Sequence, residues 1–269
     1  SMHVRKPHVA GSFYPAAPRE LREFFQNHFV HGVHPVTAKA VILPHAGYVF
    51  SGKTACRVVS RVDVPRRNFL IGPNHTGYGP EFSVVAEGEW QTPLGKVPID
   101  ADLAKTIVSS SRHLEVDIDA HRFEHCLEVE IPLLQARNPD IEIVPLVVGT
   151  SDLKLACEVA AACAAKLATE KEPVLLVIST DMSHYENEEA TRKKDRYALD
   201  AIEALDEEAL ARSIREHRIT MCGFVPVYMV LSMKKELGFK KATLVEYTTS
   251  AEASGDYSRV VGYAGFIIE

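Results

Sequence analysis

Six short runs rich in Val, Ile, Leu and Phe, with helical patterns between most of them, constrain the fold of this chain more than any other feature. They occupy residues 40–43, 68–71, 142–148, 174–178, 242–247 and 260–268. Most are continuously apolar rather than alternating, the pattern of strands buried on both faces. Helical periodicity covers residues 51–61, 100–110, 125–137, 152–168, 188–205, 206–217 and 223–237, and Pro132 kinks the third of these or delays its start. This alternation predicts an α/β fold with a central, mostly parallel or mixed sheet flanked by helices. Residues 81–98, with Trp90, Pro93 and Gly95, read as a hairpin or excursion at the rim. No polar linker divides the chain, so residues 1–269 are expected to form a single domain.

Charge and cysteine usage narrow the function classes. Thirty Lys plus Arg against 36 Asp plus Glu leave a formal charge of −6, the wrong sign for a general nucleic-acid binder. No apolar run approaches the ~20 residues that span a bilayer, and the first six residues lack the apolar core of a secretory signal. No membrane association and a cytoplasmic location are therefore expected. Five cysteines without a C-x-x-C pair disfavour a disulfide framework or a thiolate zinc site. Dinucleotide, P-loop, zincin and nucleophile-elbow signatures are also missing from the sequence.

The residues just after the strands carry the chemistry, because open α/β sheets bind ligands beyond the carboxyl ends of their strands. The first run continues as Pro44-His45-Ala46-Gly47, the second as Gly72-Pro73-Asn74-His75, and the fourth as Ser179-Thr180-Asp181-Met182-Ser183-His184. A lone histidine after a strand is usually structural, but three at equivalent places point to one shared site. Imidazole is the commonest metal ligand, and Asp181 can ligate or orient. Cys222 sits at an expected helix start, where a thiolate suits ligation or nucleophilic attack unless the thiol is simply buried. The remaining cysteines (Cys56, Cys126, Cys157, Cys163) read as helical core. His125 comes directly after Glu124 at another helix start, and lines the site, caps the helix or simply faces water. His28, His31 and His34 resemble a ligand run, but Gly32 and Pro35 make a solvated segment the simpler reading.

The ordered motifs resemble the Memo family. They are Ala10-Gly11-Ser12-Phe13-Tyr14-Pro15, Pro44-His45-Ala46-Gly47-Tyr48 with Ser51-Gly52, Gly72-Pro73-Asn74-His75, Thr92-Pro93-Leu94-Gly95, and Glu124-His125 with Leu127-Glu128-Val129. Val144-Pro145-Leu146-Val147-Val148-Gly149, Ser179-Thr180-Asp181 with Ser183-His184, Cys222-Gly223 and Val261-Gly262-Tyr263-Ala264 complete the set. Prokaryotic members are known as protein B of the AmmeMemoRadiSam system. The resemblance implies a fold like that of class III extradiol dioxygenases, the protocatechuate 4,5-dioxygenase type. It implies His45, His75 and Cys222 as ligands of iron or copper, with zinc as a substitute, and Asp181, His184 and His125 as pocket residues. Cys126, Thr180 and Glu130 depart from residues frequent in the family, and none belongs to that triad. Cysteine in place of the dioxygenases' glutamate implies a metal site without implying ring cleavage, since a thiolate is softer and itself oxidisable.

Three functional readings are open. The first is a redox metalloprotein acting on a small-molecule substrate or dioxygen, with His184 as acid/base, Asp181 orienting it and His125 bonding the bound ligand. The second is a non-catalytic module binding a peptide or protein, Tyr48, Trp90 and Tyr185 lining the crevice; the family association adds the radical-SAM system as partner. The third is metal-free cysteine chemistry, with Cys222 as nucleophile and His184 as base.

Overall fold

The computed structural model describes residues 3–269. Along the chain lie β1 (Val4–Arg5), α1 (Pro18–His28), β2 (Ala40–Leu43), α2 (Tyr48–Val59), β3 (Arg67–Pro73), β4 (Phe82–Val84), β5 (Glu89–Thr92) and β6 (Gly95–Pro98). Next come α3 (Ala101–Ser109), β7 (Glu115–Val116), a 3₁₀ turn at Glu128–Glu130, α4 (Ile131–Arg137), β8 (Glu142–Val148), α5 (Leu153–Leu167), β9 (Val174–Ser179) and β10 (His184–Glu186). The last third holds α6 (Glu188–Glu203), α7 (Glu207–His217), α8 (Phe224–Ser232), α9 (Lys234–Leu237), β11 (Ala242–Thr249), α10 (Ala251–Ser254) and β12 (Val260–Ile268).

All six apolar runs are strands of one nine-stranded mixed sheet, ordered β10-β12-β2-β9-β3-β8-β4-β7, with β11 on the other edge of β12. Its centre, β2-β9-β3-β8, is parallel and buried on both faces, which is why those runs are continuously apolar. β12 runs antiparallel to β2 and β11 and makes the sheet mixed. Helices α1, α2 and α4 cover one face, and α3, α5, α6, α7 and α8 the other.

Local chemistry sets the helix starts. Asp100, Asp152, Asn187 and Asp206 each accept a hydrogen bond from the N–H three residues on, so four expected helices begin just after their caps. Pro132 does delay its helix: the chain turns through the 3₁₀ segment, and α4 begins at Ile131 with the proline in its first turn. The expected helix 223–237 breaks at Met233 into α8 and α9. Residues 81–98 divide, β4 joining the main sheet while β5 and β6 form a hairpin that pairs with β1. Helix α1 had no sequence-based counterpart: its buried face is only Leu21 and Phe25 among charged neighbours, with His28 in its last turn.

The arrangement of β12 shapes the functional edge. One of its edges carries β2 at Phe266–Ile268 and β10 at Val260 and Val261. Between these pairings β12 runs past the carboxyl end of β2, and the segment Thr180–Ser183 returns beside it.

Candidate metal centre

His45 comes just after β2 and is 3% exposed. Its Nδ1 lies 2.8 Å from Ser179 Oγ, and that hydroxyl donates its one proton to the Cys126 carbonyl at 2.8 Å. Nδ1 must therefore carry the imidazole proton, which leaves the Nε2 lone pair facing the Cys222 thiol. Nε2 stands 3.3 Å from Cys222 Sγ and 3.7 Å from Asp181 Oδ2, while the His45 main-chain N–H donates to Asp181 Oδ1 at 2.9 Å. Burial, and then the charge of His75, push the His45 pKa down to about 3, so the ring is neutral.

His75 comes just after β3. Glu124 holds it twice, accepting its main-chain N–H at 2.5 Å and its Nδ1–H at 2.9 Å. Here too Nε2 keeps its lone pair, in the carboxylate–histidine arrangement that orients metal ligands. Burial pushes Glu124 up, but the hydrogen bonds and charge of His75 overcome it and bring its pKa down to about 2. For His75 the lowering by burial is in turn overcome by Glu124, and its pKa rises. His125 stacks on His75 at 4.9 Å between ring centroids and meets His45 edge-on at 5.3 Å. The three imidazoles present ring nitrogens all within 4.8 Å of one another, a cluster of the size one ion gathers.

Cys222 lies just ahead of α8, and Gly223 makes that position attainable: a Cβ there would fall 2.4 Å from Thr180 Cβ and 2.5 Å from the Ser179 carbonyl oxygen. The helix end does not produce a thiolate. Burial, and then Asp181, push the Cys222 thiol up to about 12. Its imidazole neighbour is His45, whereas His184 is turned aside by Thr220, which accepts from its main-chain N–H (2.7 Å) and its Nδ1–H (2.8 Å). A metal-free Cys222–His184 couple therefore lacks both the ionised thiol and the contact it needs.

The sheet edge thus assembles His45, His75 and His125, with Cys222 and Asp181 against His45, while His184 is held by Thr220. Glu124, Ser179 and Thr220 are holding residues that sequence reasoning missed. Adjacency to His125 was the one clue to Glu124; its partner His75 is 49 positions away. Cys126 is buried as expected, but in the turn before the 3₁₀ segment, where its N–H donates to Glu124 and its carbonyl accepts from Ser179. Cys157 is partly exposed rather than core. Of the three aromatic residues expected to line a peptide crevice, Tyr48 and Trp90 are 5% and 3% exposed; Tyr185 alone is open, at 63%.

Two expected results arise directly. Glu124→Gln keeps the shape but loses the charged acceptor for His75, and should weaken metal binding ten- to a hundredfold in a competition titration against a chelator. Stability of the metal-free protein should fall as pH drops from about 6.5 towards 4. His45, His121 and His125 are held neutral by burial, at about 3, 4 and 4, so the unfolded chain takes up protons first. Each unit of difference is worth about 1.4 kcal/mol; the raised pKa values of His75, Glu130, Asp181 and Asp195 act in the opposite direction, and the three lowered histidines are expected to outweigh them. Denaturant midpoints that stay level between pH 7.5 and 5 would contradict this.

The sequence model described as "Memo-like protein" matches residues 5–267. A MEMO1 family protein of Aquifex aeolicus is 41% identical over 271 residues, covering 99% of each chain. Another from Methanopyrus kandleri is 36% identical over 277 residues, covering 98% of each. Among solved structures, the crystal structure of uncharacterized protein JW3007 from Escherichia coli K12 shares the fold, with a TM-score of 0.56 at 16% identity, covering 86% of this chain and 99% of that one.

Proposed function

The chain belongs to the Memo family, and from that premise we propose that the crevice is a redox metal centre. His45, His75 and Cys222 hold iron or copper, with positions left open for dioxygen or a small-molecule substrate. One observation carries the reading. His45 and His75 come from different strands, and each has its Nδ1 proton committed to a buried acceptor, so both turn an Nε2 lone pair to the same space, that of His45 towards Cys222. The donor set of two imidazoles and one thiol suits iron, copper or zinc, and zinc would occupy it without redox chemistry. The ion supplies electron transfer or Lewis acidity; His184, its Nδ1 tied to the Thr220 carbonyl, offers Nε2 as acid/base, and Asp181 orients the groups around His45.

A three-histidine centre, with His125 as ligand and Cys222 one layer further out, is the second reading, favoured by the mutual approach of the three ring nitrogens. Copper loading separates the two. A thiolate-to-copper charge-transfer band that disappears in Cys222→Ala but persists in His125→Ala supports the cysteine triad. The reverse dependence of binding, with no such band, supports three histidines. No copper, iron or zinc retained under any loading condition would sink both.

A further inference from the structure

Two segments lead outward from Cys222, side by side. The Gly223 N–H donates to Thr180 Oγ1 at 2.9 Å, the Asp181 N–H to Cys222 Sγ at 3.4 Å, and the His184 N–H to Thr220 Oγ1 at 2.7 Å. Just past His184, strand β10 contains one residue too many. His184 pairs with Val261 and Glu186 with Val260, so Tyr185 is the extra residue of a bulge. Its φ is +66°, a left-handed conformation that a bulky aromatic residue rarely adopts. The other two such residues among those described, Leu205 and Arg218, come after the last turns of α6 and α7, where left-handed backbone commonly ends a helix. Tyr185 alone carries this strain inside a strand, and a bulge there re-aims its side chain.

The ring so aimed is largely exposed and meets two partners. The His184 imidazole lies edge-on to it at 5.5 Å between centroids, and the Arg259 guanidinium lies over it at 4.8 Å. The turn that delivers Arg259 is tied down. Asp256 accepts from the N–H and the hydroxyl of Ser258 at 3.0 and 2.6 Å, and the Tyr257 carbonyl accepts from the Glu188 N–H at 2.9 Å. Nearby carboxylates are engaged elsewhere, Glu186 with Lys194 and Glu188 with Arg192. Among the described residues no carboxylate pairs with Arg259, and its guanidinium has no hydrogen-bond acceptor; its one recorded side-chain contact is the Tyr185 ring. His184 Nδ1 is bonded to the Thr220 carbonyl, so Nε2 is the ring nitrogen left to a ligand.

We infer that Arg259, stacked on Tyr185, is an oxyanion subsite that anchors a carboxylate or phosphate group of the substrate beside His184. Stacking uses the face of the guanidinium and leaves its in-plane N–H donors for the paired oxygens of such a group. The bulge explains the strain: it holds out the ring that fixes the guanidinium. A cationic group would meet Arg259 as a like charge. The subsite rests on reading the crevice as a substrate site with His184 as acid/base, and it needs no metal ion.

The test is an NMR titration of the ¹⁵N-labelled full chain with inorganic phosphate and, separately, with acetate, at constant ionic strength. The Arg259 Nε–H signal and the amides of Tyr185 and Glu186 should shift and saturate. The anion that binds more tightly tells a phosphate-bearing substrate from a carboxylate. Arg259→Gln, at an exposed position, should weaken the binding read at the amides roughly tenfold, the weight of one charge-assisted hydrogen bond. Tyr185→Gly, which keeps the positive φ without strain, should weaken it as well, since the guanidinium loses its support. No saturable shift with either anion, or affinity unchanged in Arg259→Gln, would overturn the subsite; affinity unchanged in Tyr185→Gly would overturn the role of the ring. His45→Ala separates this from the metal reading. Shifts kept there while metal is lost support a subsite independent of the ion, and shifts lost there but kept in Arg259→Gln would place the anion on the ion and overturn it.

Discussion

Alanine at His45, His75 or Cys222 should reduce iron and copper from near one equivalent to background in protein purified without oxygen, with circular dichroism unchanged. The magnitude comes from what each residue supplies. An outer partner such as Glu124 only orients a ligand and carries ten- to a hundredfold in affinity. Deleting a ligand removes a bond to the ion and should cost more than that. His45 is the most informative of the three. Its neutral ring is buried at 3% exposure, between Ser179 on one nitrogen and Cys222 on the other, so removing it takes out the central donor of the group. The fold should survive, because the other interactions at that turn are main-chain ones: the residue 45 N–H still bonds Asp181 Oδ1, and the Tyr48 N–H still bonds the Phe13 carbonyl. Metal content by mass spectrometry checks the result. Full occupancy in His45→Ala would place the ion elsewhere and remove the basis for a redox centre in this crevice.

Part of the fold and of the site was legible in the sequence because its cause is local. Continuous apolar runs mark buried strands, Asp and Asn mark helix starts, and a histidine after each of three strands marks the crevice, since strand ends fix where the next residues emerge. The residues that make those histidines usable left no such trace. Ser179 acts on His45 across 134 positions, and Glu124 on His75 across 49, through geometry that exists only once the sheet has closed. Helix α1 was passed over although its signal is local: Leu21, Phe24, Phe25 and His28 stand at i, i+3, i+4 and i+7 behind Pro18, a short apolar stripe among charged residues. Cys222 shows the opposite error. Its place before a helix suggested an ionised thiol, and burial beside Asp181 outweighs the helix end.

The largest effect on stability should come from a residue far from the histidines in sequence. Arg5 is 6% exposed, and its guanidinium lies over the Trp90 ring at 4.5 Å. It donates to Glu128 Oε1 at 2.7 Å, to the His121 carbonyl at 3.0 and 2.9 Å, and to the Glu124 carbonyl at 2.9 Å. Glu128, 1% exposed, also accepts from the N–H groups of His8 and Val9 and from the Tyr14 hydroxyl. Arg5→Ala strands a buried carboxylate without its counter-charge and leaves two carbonyls unpaired, so the expected loss is about 3–5 kcal/mol. Arg5→Lys should recover little of it, because an ammonium cannot reproduce a planar fork that reaches three separate acceptors. Replacing both partners, as in Arg5→Met with Glu128→Leu, should recover more than the lysine does, since no charge is then left buried alone. The loss should also reach the site. The Glu124 carbonyl that Arg5 holds belongs to the residue whose carboxylate orients His75, so Arg5→Ala should weaken metal binding as well as lower the denaturant midpoint. A loss below about 1 kcal/mol, the range of an exposed pair, would show that the amino-terminal arm is not what fixes the Glu124–His125 loop.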